Sequence, residues 1–145
     1  MILIDIISNP IFQATLGSSI VAQLLKTAFD YWRHKKFNWR SLFRGAGMPS
    51  SHTATVVGLV ISVFVVEGVS NIFMIVLCLS SIVIRDVIGD KVFATHQENI
   101  INNIVQQLLH HEKVQWNHLI GHTIVEVIAG AIVGAVVTTG VFLLA

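Results

Sequence analysis

The chain has 145 residues, 54% of them hydrophobic and only 12% charged, with a formal net charge of +1. A soluble domain of this size carries roughly 25% charged residues, so the composition excludes an ordinary water-soluble globule and points to one domain covered by lipid. The single cysteine, Cys78, excludes an intrachain disulfide framework and a thiolate metal cluster.

In chain order, Met1 to Ile7 is apolar but carries Asp5 and lacks a basic flank, so it reads as mature sequence rather than a cleavable signal. Four apolar stretches follow, at about residues 10–32, 50–66, 70–88 and 119–144. About 20 residues span a bilayer as a helix; the first and last stretches meet that length, and the second is short unless Ser50, Ser51 and His52 extend it. Lipid admits only helices or closed barrels, and these runs lack barrel alternation. The expected fold is therefore an all-α membrane bundle of about four transmembrane helices. The segment at about 90–118 is polar but carries Ile100, Ile101, Ile104, Val105, Leu108 and Leu109. It is expected as an amphipathic helix on the membrane surface.

The loop at about 33–49 holds Arg33, Lys35, Lys36, Arg40 and Arg44 and no acid. The positive-inside rule makes it cytoplasmic, with the segment at 90–118 on the same side and both termini outside. Lys26 then closes the first helix, Pro49-Ser50-Ser51-His52 opens the second, Asp86 and Lys91 close the third, and His122 and Glu126 open the fourth. All converge on the cytoplasmic side, where ionisable groups at membrane depth are costly and mark function.

Gly45 to His52 reads as a flexible loop entering a helix, with proline in the first turn and serine at the cap. Such a start offers backbone N–H groups to an anion, and a histidine there can protonate a leaving oxygen. Taken alone, the string is that of an ordinary capped helix start. Glu126 follows His122 by one helical turn and can accept its hydrogen bond, freeing the other ring nitrogen as base or nucleophile. Alone, that pair is equally a structural one. His110, His111 and His118 fit no zinc spacing and read as solvated. Gly130 and Gly134 permit close helix approach, within the chain or between two chains.

Together these residues resemble the divergent branch of the type-2 phosphatidic acid phosphatase superfamily, related to acid phosphatases and vanadium-dependent haloperoxidases. The landmarks are Ala22-Gln23 with Lys26, then Gly47-Met48-Pro49-Ser50-Ser51-His52, then Asp86, Gly89, Lys91, Gln97 and Asn102, and finally Gly121-His122-Thr123 with Glu126-Val127, Ala129-Gly130 and Gly134. The resemblance implies His122 as nucleophile, His52 as general acid and Glu126 as the residue orienting His122. Lys26, Arg33, Arg44, Ser50, Ser51 and Lys91 would hold phosphate, with Asp86, Gly47, Pro49 and Gly121 in support. Relative to the wider superfamily, His34 stands for a proline, Ser51 for a glycine, Glu126 for an aspartate and Trp116 for an arginine. The implied activity is hydrolysis of a phosphomonoester or pyrophosphate, on a lipid, through a phosphohistidine, without metal or cofactor. The rival expectation is a non-catalytic binder or transporter of a phosphorylated lipid or other anion. Membrane lipids and a second copy of the chain are the expected partners, and no nucleic acid is.

Overall fold

The computed structural model describes residues 2–35, 47–109 and 121–144. Every regular element among them is an α-helix. After the short α1 (Ile2–Ile7), α2 (Pro10–His34) begins where the Asn9 side chain accepts from the N–H groups of Ile11 at 2.9 Å and Phe12 at 3.2 Å. It stops at Lys35, whose left-handed φ of 53° lets its N–H donate to the Tyr31 carbonyl at 2.8 Å. Ser50 caps α3 (Ser51–Glu67) by accepting from the Thr53 N–H at 3.3 Å. Gly68, at φ 64°, turns the chain into α4 (Asn71–Leu109), and α5 (Ile124–Leu144) completes the bundle.

The expected surface helix is not a separate element. Residues 90–109 continue α4 without interruption, giving one helix of 39 residues. The physical reason is local: the junction contains no proline, and Gly89 is its only glycine. At 1.5 Å per residue α4 is about 58 Å long, nearly twice a bilayer's hydrocarbon thickness. Its second half must therefore leave any membrane the first half crosses. Residues 110–118, the rest of the expected segment, lie outside the described residues.

α2, α3 and α5 pack together, with α4 laid mainly along α3. Their shared core is made of small side chains spaced four apart. Ala14, Ser18 and Ala22 come from α2, Ala54, Gly58 and Ser62 from α3, and Gly130, Gly134 and Thr138 from α5, all buried. Such stripes bring helix backbones into close contact where lipid removes the hydrophobic drive between helices. A Cβ on Gly134 would lie 2.5 Å from the Ala54 carbonyl oxygen, and one on Gly130 would run into the Ser50 carbonyl. The two glycines thus serve packing within the chain. Ser18 Oγ donates to the Ala14 carbonyl at 2.7 Å and lies 3.4 Å from Thr138 Oγ1, so the stripe also satisfies its own hydroxyls.

These contacts set the direction of each helix. Ser50 meets Gly130 and Ala54 meets Gly134, so α3 and α5 run parallel. Ser18 meets Gly58 while Lys26 meets Gly47, so α2 runs against them. The C-terminal end of α2 and the starts of α3 and α5 consequently share one end of the bundle. Outside, Ile20, Leu24, Ile75, Leu79, Ile128 and Ile132 are exposed. Among the described residues two helices, α4 and α5, are long and apolar enough to cross a membrane, and only 6% of the most apolar stretch of α4 is buried. Such an outward apolar surface requires lipid. α3, at 17 residues, is about 25 Å long, short of a full hydrocarbon layer.

Candidate functional site

At the shared end, the small-residue stripe of α2 finishes in a charge. Lys26 continues the spacing of Ala14, Ser18 and Ala22 and is fully buried. Gly47 lies directly on it: its φ is 134°, and a Cβ there would sit 2.7 Å from Lys26 Cε. Glycine is needed on both counts, for the backbone conformation and for the space.

The chain then passes through Met48 and the buried Pro49 into the cap of α3. Ser50 is buried, and Thr53 Oγ1 donates to Ser50 Oγ at 3.1 Å. The Ser50 N–H donates to the Glu126 carbonyl at 3.0 Å, tying the start of α3 to the first turn of α5. Ser51 and His52 occupy the first two helical positions, where backbone N–H groups have no partner within the helix.

His122 is held from the other side. Its N–H donates to the Val87 carbonyl of α4 at 2.9 Å, and Gly121, at φ 70°, presses against the Lys91 backbone so closely that no Cβ fits. His122 is buried, only 3% exposed, and among the described residues its Nε2 has no hydrogen-bond partner. The exposed His52 ring lies beside it, with centroids 5.8 Å apart in an edge-to-face arrangement at 78°. Burial lowers the His122 pKa from the ordinary 6.5. The Glu126 carboxylate opposes that shift, while Lys26, His52 and Lys91 add to it. The ring is therefore neutral near pH 7, with an unfilled nitrogen among cations.

Lys26, Gly47, Pro49, Ser50, Ser51, His52, Lys91, Gly121, His122 and Glu126 thus come to one end of the fold. Asp86, beside Val87 on α4, is exposed. Arg33 falls in the last turns of α2, and nothing in the described side chains bears on its role. Arg44, Arg40, Trp116, His110, His111 and His118 lie outside the described residues.

Glu126 differs from the expectation of an acceptor for His122. Its Oε2 accepts from the Thr123 N–H at 2.8 Å, and its own N–H donates to Thr123 Oγ1 at 3.3 Å. This reciprocal pair is a capping box at the start of α5. Thr123-x-x-Glu126 carried that signal in the sequence, and the residue's place after His122 obscured it. Two further features had no sequence signal at all: the contact of Gly47 with Lys26, and the use of the Val87 carbonyl to seat His122.

The profile of the divergent PAP2 family matches residues 7–137. The chain is also similar to the uncharacterized membrane protein YuiD of Bacillus subtilis (strain 168), with 25% identity over 149 residues covering 92% of this chain and 94% of that protein. No solved structure matches. With the profile covering nearly the whole chain, this protein belongs to the divergent PAP2 family.

Proposed function

We propose that the protein is a membrane phosphatase in which His122 attacks the phosphorus of a phosphate ester or pyrophosphate. The observation that carries this reading is the Nε2 of the buried His122, without a partner among the described residues, on a ring whose centroid is 5.8 Å from that of His52 and which feels the charge of the buried Lys26. An unfilled polar atom in such a place costs stability, and an approaching phosphate would fill it.

In this reaction the Nε2 lone pair forms a bond to phosphorus as the ester P–O bond breaks. His52 gives its proton to the leaving oxygen. Water then adds to phosphorus, the P–N bond breaks and His52 takes back a proton from that water, so that phosphate leaves. His52 is exposed, and an outward turn of its ring would admit the phosphate between the two rings. The buried charge of Lys26 stabilises negative charge on the phosphoryl oxygens, which a low-dielectric site amplifies. The start of α3 adds its N–H groups and dipole. By the positive-inside rule the centre faces the cytoplasm, α2 to α5 cross the membrane and the termini lie outside.

The test is phosphate release from a lipid phosphomonoester by the purified protein, with incorporation of labelled phosphate into an acid-labile, base-stable adduct. His122→Ala should remove both, and vanadate should block the wild type. Normal turnover in His122→Ala would overturn the mechanism. One sequence observation favours a second reading, a non-catalytic binder or transporter of the same anion: Trp116 stands where the resemblance places an arginine. Saturable phosphate binding without release of product would decide for it.

A further inference from the structure

A cleft of about 200 Å³ opens between α2, α3 and α4, lined by Ser19, Ser51, His52, Thr55, Val56 and Val83. His52 is in its wall; His122 is not. Of its other residues, Ser19, Thr55, Val56 and Val83 lie deeper in the bundle. Ser19 precedes Lys26 by about two turns, Val83 precedes Val87 by about one, and Thr55 and Val56 follow His52 by about one. The cleft therefore descends from the histidine towards the apolar half of the molecule. Its lining combines the hydroxyls of Ser19, Ser51 and Thr55 and the His52 imidazole with two valines. Thr55 Oγ1 gives its proton to the Ser51 carbonyl at 2.7 Å, which leaves its oxygen as an acceptor.

In-line displacement at phosphorus puts nucleophile and leaving group on opposite sides. With His122 as nucleophile and His52 as acid, the body of the leaving alcohol must lie on the His52 side, away from His122. This cleft is the space there. We propose that it is the leaving-group subsite, and that it takes the alcohol end of a membrane lipid phosphate, entering sideways from the bilayer. This rests on the phosphatase reading given above. The polar end of the alcohol lies against Ser51 and Thr55 beside His52, and the first chain carbons lie against Val56 and Val83. Sites that enclose a whole small ligand run to about 300–1,000 Å³; a cleft of about 200 Å³ holds only the alcohol end and leaves the chain in lipid. A second groove, lined by Leu25, Phe29, Met48, Pro49, Ala129, Ile132 and Val133 between α2 and α5, is apolar throughout and contains neither histidine.

The experiment compares dioleoyl phosphatidic acid in mixed micelles with water-soluble p-nitrophenyl phosphate, for wild type, Val56→Phe, Val83→Phe and Ile132→Phe. Filling the cleft should lower the ratio of kcat/KM for lipid over soluble ester by about tenfold or more, mainly through KM. Ile132→Phe, in the other groove, should keep the wild-type ratio. Val83 is exposed on α4, so its substitution tests the cleft even where Val56→Phe does not fold. An unchanged ratio in folded Val83→Phe, or a fall in Ile132→Phe instead, would overturn the subsite. So would a wild type that hydrolyses the soluble ester and leaves the lipid intact, with the phosphatase reading still standing. A wild type inactive on both would remove that reading and the subsite with it.

Discussion

Gly134→Ala tests the packing that brings the site together. The added Cβ would stand 2.5 Å from the Ala54 carbonyl oxygen and 3.1 Å from Ala54 Cα, both on helix backbone that cannot rotate away. Ordinary contact begins near 3.4 Å, so α3 and α5 must part by about 0.9 Å at this level. Overpacking of this kind costs about 1–3 kcal/mol, and alanine's better helix propensity returns about 1 kcal/mol. The net is a destabilisation of about 0–2 kcal/mol. Gly140, in the same helix, has nothing within 4 Å of its would-be Cβ. Gly140→Ala keeps only the propensity gain of about 1 kcal/mol. The two variants differ by the overpacking cost alone and should melt roughly 2–12 °C apart, at about 2–4 °C per kcal/mol for a chain of this size. Thermal unfolding in detergent micelles, followed by tryptophan fluorescence, reads the difference directly. A Gly134→Ala protein melting at or above Gly140→Ala would refute the reasoning. Because α5 also carries His122 into place, the same displacement should lower turnover by up to about 10²-fold, the usual cost of a misplacement near 1 Å.

The acid limb of kcat/KM should lie below pH 6.5, because burial lowers the His122 pKa from that value and only the neutral ring attacks phosphorus. The same shift means that the unfolded chain binds the extra proton first. Stability is therefore retained above 6.5 and lost as pH falls through it, a slope in melting temperature that His122→Phe should reduce. Gly47→Ala combines a φ of 134° with a Cβ 2.7 Å from Lys26 Cε. It should cost about 1–3 kcal/mol in backbone strain and displace the buried lysine, weakening inhibition by vanadate; an unchanged inhibition constant would detach Gly47 from the site. Glu126→Gln keeps an oxygen for the Thr123 N–H and so should leave the melting temperature within about 1 kcal/mol of wild type. It removes the negative charge that holds the His122 pKa up, so the acid limb should move lower and turnover should fall about tenfold. Complete inactivation with unchanged melting would make Glu126 the orienting partner of His122 after all.

Much of the candidate site was legible because its residues sit at helix ends. Pro49-Ser50-Ser51-His52 is a capped start by residue type, and Lys26 ends an apolar run. Once the runs are helices of alternating direction, such ends collect on one side. Glu126 takes a partner other than the expected one for the same locality: spacing of four permits a pairing with His122, and spacing of three permits the capping box with Thr123. Only the geometry at the first turn of α5 chooses. The helical continuation past Asp90 was missed because amphipathic composition does not distinguish a helix lying on a surface from one extending out of a bundle.

By itself, the sequence determined the helical, lipid-facing class, because an apolar chain can satisfy its backbone in lipid only within helices or a closed barrel, and these runs lack barrel alternation. It determined equally which chemical groups were present to act on an anion. Tertiary structure decided how they meet: that Gly130 and Gly134 bring α5 against α3 of the same chain, that Gly47 covers Lys26, and that the Val87 carbonyl and Lys91 backbone hold His122 against His52. Such contacts join residues far apart in the chain through backbone atoms every residue shares. No pattern of side-chain types encodes them, and they exist only once the helices have packed.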